Sequence, residues 1–400
     1  MKKFGKALIL VLLLVAVGGG GFILGNNMQA VPGASTDEQA ADRRILKNIN
    51  LYREAIQSDY LFPYKKEDLE TGIYKGLFWG LKDPYSEYYT AEEYKRLMED
   101  TTGKFAGVGL VITAGEDNLI TVVSPIANTP AAKAGLKAGD KIVEVDGQAY
   151  AGKELQEATE HMRGKPKTSV ELTVQRVING KTQTSHVKLV REMIEVDTVI
   201  GKLMPDNIGY LQISSFEQVT AKDFKKEWEA LEKQGAKKFI IDLRNNPGGL
   251  LTSCEEIADA LLGKATIVTT VDNKGKKEAS TSDEAQYKEP LVVLANGGSA
   301  SASEILLGAL RDNNRAKSVG EKTFGKGIVQ QIYPLGENGK DGGFKLTMAE
   351  YLTPNGEKIH GKGITPDIVV KAPEQAKGMG PDFLKEDPQL QRALQEVKGL

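Results

Sequence analysis

The residues of this chain best suited to carry a reaction stand at glycine-rich corners. Asn296-Gly-Gly-Ser-Ala-Ser-Ala-Ser-Glu304 follows an apolar run, residues 290–295, and opens a helical pattern. A serine at such a corner can present its hydroxyl at the edge of a strand while the N–H of the next residue points the same way. Ser299, Ser301 and Ser303 are also ordinary capping and turn residues. The segment does not match Gly-x-Ser-x-Gly, which disfavours the α/β-hydrolase elbow. His161, His186 and His360 are remote from it in sequence, so an imidazole base has no support.

Gly320-Glu-Lys-Thr-Phe-Gly-Lys-Gly327 begins as a phosphate loop and then fails as one, because Gly327 stands where Ser or Thr must hold magnesium. Lys326 is either an exposed loop lysine or a base. A lysine serves as a base if burial brings its pKa down from ~10.4 toward neutrality. Gln330, four residues on, lies on the same face in a strand or a helix, and its amide could orient the amine. Ser301, Lys326 and Gln330 then supply nucleophile, base and orienting group without imidazole.

Asp242-Leu-Arg-Asn-Asn-Pro-Gly-Gly249 is a second corner, an apolar strand running into a Pro-Gly-Gly turn before a helix. Backbone N–H groups there lack intrahelical partners and can face an anion, or an oxyanion if an acyl carbon sits opposite. A plain glycine turn has the same sequence.

Composition narrows the chemistry further. The 52 basic and 54 acidic residues among 400 give no field for nucleic acid. One cysteine, Cys254, excludes an internal disulfide, and with three histidines it excludes four-cysteine and two-cysteine, two-histidine zinc sites. A histidine and carboxylate metal site stays open, but none is expected, and no cofactor is called for.

These corners need a scaffold, and three patterns supply one. Lys2, Lys3 and Lys6 precede an uncharged run, residues 7–25, close to the ~20 residues that span hydrocarbon. A signal anchor is expected there. The four glycines Gly18 to Gly21 and the small residues Ala30 and Ala34 leave a cleaved signal peptide as the alternative. Either way the remainder is exported, beyond a linker over residues 31–37. Helical spacing follows at Ile45, Ile49, Tyr52 and Ile56, and again over residues 69–81 and 91–98. From Lys104 to about Glu192 short strands and turns take over, with a strand over residues 118–123, a helix over 153–163 and a hairpin around Asn179-Gly180. Beyond about Val196 apolar strands alternate with helices: strands over 208–213, 238–243 and 290–295, helices over 250–262 and 301–311, and a helix opened by Thr220 and Asp223 in a capping-box variant. That alternation implies a largely parallel α/β layer, in which ligands gather where strands end.

Together these residues resemble the carboxyl-terminal processing, or tail-specific, proteases, from about Asn48 to the end, including Tyr351-Leu-Thr-Pro-Asn-Gly356 and Gly361-Lys-Gly-Ile-Thr-Pro-Asp367. The resemblance implies Ser301 as nucleophile, Lys326 as general base, Gln330 as its partner, and the amides of Gly249 and Ala302 as oxyanion hole. The middle region resembles a PDZ domain whose carboxylate-binding loop is Gly107-Val108-Gly109-Leu110. Its accompanying turns are Ser124-Pro-Ile-Ala-Asn-Thr-Pro-Ala131 through Gly135, Gly139-Asp140 and Val145-Asp-Gly147. In family terms the core is a crotonase-like α/β spiral carrying the PDZ β-module as an insert, with flanking helices that support a homodimer.

The expected organisation is an anchor and linker over residues 1–35, a helical region over 36–103, the PDZ domain over 104–192, the protease core over 193–375 and a helical segment over 376–400. The expected activity is that of a serine endopeptidase at a bacterial cell membrane, its catalytic part extracytoplasmic. Its substrates would be proteins with accessible C-termini, held by the PDZ domain, with Arg163 either a switch residue or an exposed arginine at a helix end. Two other classes share parts of the pattern. A silent, membrane-tethered PDZ scaffold has no use for Lys326 and Gln330, and an acyl-CoA enzyme of the crotonase type has none for export or a PDZ module.

Overall fold

The computed structural model describes residues 36–115, 117–178, 180–284, 287–373 and 378–400. The expected anchor, residues 7–25, lies outside the described residues. Among the described residues no helix is long and apolar enough to cross a membrane. The chain divides into two compact units: Met98–Ile328 with Ala349–Leu400, and the described residues up to Leu97 with Val329–Met348.

The larger unit is built on a six-stranded sheet in the order β1 (Val199–Met204), β2 (Ile208–Ile213), β3 (Lys238–Asp242), β4 (Leu291–Ala295), β5 (Lys317–Gly320), β6 (Ile368–Val369). β1 and β2 are antiparallel and every later pair is parallel. The parallel layer follows from the sequence, because β3 carries Phe239, Ile240 and Ile241 in a row and β4 is apolar throughout, and only a layer covered on both faces buries such runs. Parallel neighbours need crossovers, and the crossover helices are α1 (Thr220–Lys233), α2 (Leu251–Leu261) and α3 (Ala302–Asp312). Alternate strand residues face opposite sides. On one side Phe239 stacks on Trp228 of α1, ring centroids 3.7 Å apart. On the other, Ile240, Val292 and Leu294 meet Leu390, Ala393 and Val397 of α4 (Pro388–Gly399).

Thr220 does not cap α1. Its buried hydroxyl pairs with that of Thr198 at 2.7 Å and accepts the N–H of Glu217 at 2.8 Å, so it ties the loop before the helix to the residue that precedes β1. Unforeseen in the sequence, β1 adds an antiparallel edge, and Thr266–Asp272 forms a hairpin with Lys277–Thr281 and pairs with residues 349–352.

The same unit carries an antiparallel module. Its strands Leu110–Ala114, Ile120–Pro125, Lys141–Val145, Ser169–Ile178 and Lys181–Val190 pair in that order around a core that includes Ile120, Ile142, Leu172 and Met162. The hairpin closes at Ile178 opposite Lys181, and Asn179 of its turn lies outside the described residues. The module is an insertion with a paired stem: Lys104–Gly107 runs antiparallel to Glu192–Glu195.

In the smaller unit, helices Thr36–Asp59 and Lys66–Trp79 match the expected helical spacing. Strand Glu87–Tyr89 pairs with residues 343–345, and Ser86 Oγ accepts the N–H of Thr347 at 2.9 Å.

Candidate active site

β3 and β4 end together, with Asp242 opposite Leu294, so the two glycine-rich corners leave the sheet side by side. They are then laced to each other. The flanking serines turn inward: Ser299 Oγ donates to Leu243 O at 2.7 Å and Ser303 Oγ to Asn246 O at 2.9 Å. Asn296 and Asn245 exchange amide bonds at 2.9 Å in both directions. Of the three serines, Ser299 and Ser303 are therefore fully buried clamps, and Ser301 is the one that remains partly accessible.

Ser301 precedes α3 with φ 57° and ψ −117°, a conformation that costs a non-glycine residue about 1–3 kcal/mol. An elbow thus forms without the Gly-x-Ser-x-Gly sequence, the lacing bonds supplying the restraint. Its N–H is held by Glu304 Oε2 at 3.0 Å, and its Oγ lies 3.0 Å from the Tyr351 hydroxyl.

The Pro-Gly-Gly turn presses on this elbow. A Cβ on Gly248, whose φ is +102°, would sit 2.7 Å from Ser301 Cβ and 2.9 Å from Ala302 N. Phe216 N–H donates to Gly248 O and Leu250 N–H to Phe216 O. That pairing holds Gly249 at the edge of β2's extension, and Ala302 opens α3, whose first N–H groups have no intrahelical acceptor.

Lys326 is half-buried in an irregular loop ahead of the strand Ile328–Pro334. Three interactions locate that loop. Glu304, wholly buried, accepts from Thr323 Oγ1 at 2.5 Å, Gly325 N at 2.8 Å and Lys326 N at 2.8 Å, beside Ser301 N. Phe324 N–H donates to Ser299 O at 3.0 Å. The Gly361-Lys-Gly363 segment lies backbone to backbone with the loop: Gly361 N–H donates to Gly325 O, and a Cβ on Gly327 would fall 2.3 Å from His360 N. Gln330 lies partly buried on the strand Ile328–Pro334, in the smaller unit. Since Lys326 precedes that strand, the shared-face spacing argument for the two does not apply.

Two groups beside the serine are inert as acids near neutral pH. Burial pushes the Tyr351 phenol well above its ordinary value, against a smaller opposite effect of its bond with Ser301. Burial likewise pushes up the Cys254 thiol, which donates to Ala302 O at 3.2 Å. The histidines are all exposed, and no metal-binding cluster of His, Cys, Asp or Glu exists among the described residues. Sequence reasoning passed over Glu304 and Tyr351. Glu304 carried a signal, since Ser301-Ala-Ser-Glu304 fits the capping-box pattern; Tyr351 had none beyond its place in a quoted segment.

In the inserted module, the Gly107–Leu110 loop is fixed from beneath. Ala131 N–H donates to Val108 O at 2.9 Å and Ile126 N–H to Gly109 O at 2.9 Å. Arg163, at the end of the helix Leu155–Met162, is half-buried with its guanidinium 4.8 Å from the centre of the Phe105 ring. Its stem passes Gly107, where a Cβ would lie 3.8 Å from Arg163 Cγ.

Comparison with known proteins agrees with this architecture. Residues 207–370 match peptidase family S41 and residues 121–176 match the PDZ domain. The chain is 42% identical over 341 residues to a carboxy-terminal-processing protease of Bartonella bacilliformis, covering 82% of this chain and 76% of that protein. It is 37% identical over 359 residues to the carboxy-terminal processing protease CtpA of Bacillus subtilis, covering 89% and 74%. A solved structure of a candidate S41 protease from Bacteroides fragilis shares the fold at 14% identity, with a TM-score of 0.53 and coverage of 80% and 87%. The chain therefore belongs to peptidase family S41, among the carboxy-terminal processing proteases, and is a serine-type peptidase with a PDZ domain.

Proposed function

We propose that this peptidase cleaves protein chains at or near their C-termini with Ser301 as nucleophile and Lys326 as general base. The observation that carries the reading is Glu304, whose carboxylate holds the backbones of both residues and so sets the lysine loop beside the serine elbow. Lys326 Nζ takes the Ser301 proton as Oγ attacks the peptide carbonyl, and returns it to the departing amine. Water then attacks the ester carbonyl, its proton passing to Lys326 Nζ and on to Ser301 Oγ as the C–Oγ bond breaks. The amides of Gly249 and Ala302 receive the oxyanion in both steps, a role supported by Gly248, the residue before Gly249, pressing on the elbow and by Ala302 following Ser301 at the start of α3. Gln330 is kept as the lysine's partner on the family resemblance alone.

The Gly107-Val108-Gly109-Leu110 loop captures the substrate's terminal carboxylate while the peptide adds to a sheet edge. Arg163, stacked on Phe105 beside Gly107, is the residue through which an occupied loop would be sensed. The core is a crotonase-like spiral, a reading supported by the succession of β3, α2, β4, α3 and β5. The uncharged run over residues 7–25 anchors the chain in a bacterial cell membrane with the catalytic part outside the cytoplasm, and the flanking helices serve a homodimer.

The deciding experiment is digestion of an unstructured protein by the full chain in detergent, beside Ser301→Ala and Lys326→Ala. Both variants should remain folded and lose turnover. Retained cleavage by either would remove that residue from the mechanism.

A further inference from the structure

The reaction as proposed leaves one buried polar group against the nucleophile without a task. Tyr351 is 3% exposed, and its hydroxyl is 3.0 Å from Ser301 Oγ. Its backbone is fixed too: its N–H donates to Gly327 O at 3.0 Å, immediately after Lys326, and it faces Thr270 across an antiparallel pair. One residue thus spans from the lysine loop to the serine hydroxyl. A serine hydroxyl has one proton to give and two lone pairs to accept with, and a phenol can fill one of the latter.

We propose that Tyr351 is a further catalytic residue, a permanent donor to Ser301 Oγ that leaves the serine proton to the lysine and stabilises negative charge on Oγ whenever its bond to carbon forms or breaks. This rests on the reading of Ser301 as nucleophile. The phenol keeps its own proton throughout, consistent with the burial that holds its pKa up. In acylation the Ser301 proton moves to Lys326 Nζ as the Oγ–C bond forms and the carbonyl π pair moves onto oxygen. That pair then re-forms the carbonyl as the C–N bond breaks and the amine takes the proton. In deacylation, water adds through its oxygen and gives a proton to Nζ, and the C–Oγ bond breaks with the electron pair leaving on Oγ. Tyr351 hydrogen-bonds that leaving oxygen until Lys326 reprotonates it. Aliphatic alkoxide is a poor leaving group, so the donor matters most in this half.

The test is Tyr351→Phe, which removes the hydroxyl and keeps the ring, assayed on an unstructured protein and with a fluorophosphonate that labels the active serine. The expected result is kcat lower by on the order of tenfold or more, with KM falling alongside it as acyl-enzyme accumulates, slower labelling, and acyl-enzyme detectable by intact mass spectrometry during turnover. Site-specific 3,5-difluorotyrosine at position 351 keeps the hydroxyl and makes it a stronger donor, which guards against a phenylalanine variant that folds poorly. It should shift kcat and the labelling rate where the same replacement at Tyr333 does not. Wild-type rates in both position 351 variants would overturn the proposal. Ser301→Ala in parallel separates the two failures: if it still cleaves, the nucleophile is wrong; if it is inactive while both Tyr351 variants match wild type, only the role of Tyr351 is.

Discussion

Glu304 Oε2 accepts the backbone N–H of Lys326 at 2.8 Å and that of Ser301 at 3.0 Å, so a single buried oxygen joins the loop of the proposed base to the elbow of the proposed nucleophile. Its partner Oε1 accepts from Gly325 and Thr323. All four groups are donors, so an amide NH₂ in place of either oxygen must face a donor. Glu304→Gln is nearly the same size and should still lose about 1–3 kcal/mol of stability for each donor left unmatched. Turnover should fall at least about tenfold because the loop and the elbow are no longer held together. Urea unfolding and peptidase rates measure both effects. A variant with wild-type kcat would show that the two segments are placed by their other contacts.

Gly248 offers a sharper probe of the proposed oxyanion turn. A methyl group there meets Ser301 Cβ and Ala300 O, each at 2.7 Å, on a backbone at φ +102°. Gly248→Ala should displace the elbow or the turn, and small displacements of reacting groups cost about a hundredfold in rate. Gly263→Ala, whose Cβ meets nothing within 4 Å, is the control and should stay within about 0.5 kcal/mol of wild type with full activity. Steady-state kinetics on the pair would show whether the close approach matters to catalysis.

How much of this was legible beforehand follows from where each constraint resides. The apolar runs of β3 and β4 and the glycine corners after them are local signals, and they pointed to a parallel layer with the reactive residues at strand ends. The convergence of the two corners depends on register, Asp242 opposite Leu294, which no local pattern encodes. Thr220 misled because a hydroxyl at a helix start usually caps it, whereas here a long-range partner, Thr198, took the bond. Ser301 was named while its elbow was disfavoured, since the strain at φ 57° is borne by Ser299 and Ser303, residues read as turn formers. Tyr351 reaches the site from a strand 50 residues on, and only the folded chain brings it there.

The PDZ loop makes a prediction about the substrate rather than the enzyme. If the amides of residues 107–110 receive a terminal carboxylate, amidating the C-terminus of a peptide substrate removes a charge-assisted contact of about 1.5–3 kcal/mol. KM should rise about tenfold or more, with kcat on a peptide already bound little changed. Arg163→Ala, which removes the side chain stacked on Phe105 beside Gly107, should narrow the difference between the free and amidated peptides. Equal KM values for the two peptides with the wild-type chain would remove terminal recognition from the loop's role.

The same strand that leads to the Pro-Gly-Gly turn also ends in a buried ion network, and that network sets an acid limit on stability. Arg244 is bound by Asp242 in the fork of its guanidinium and by Asp387 at 2.9 Å, which docks the start of α4 against the sheet. Burial alone would raise the Asp387 carboxyl, but hydrogen bonds from Arg244 and from the N–H groups of Gly380 and Leu390 outweigh it and hold the group below its ordinary value. A carboxyl more acidic in the folded chain than in the unfolded one contributes its full stability above the unfolded pKa, about 3.9, and loses it as pH falls toward the folded value. Asp387→Asn keeps the shape and removes the charge. At pH 6 it should be less stable than wild type by about 2 kcal/mol, since Arg244 retains Asp242. As the pH drops below about 4, the wild type should lose this advantage and the two urea midpoints should converge. Midpoints that stay equally far apart at every pH would mean that the aspartate contributes through packing and its neutral hydrogen bonds, and that the charge on Asp387 does not hold α4 in place.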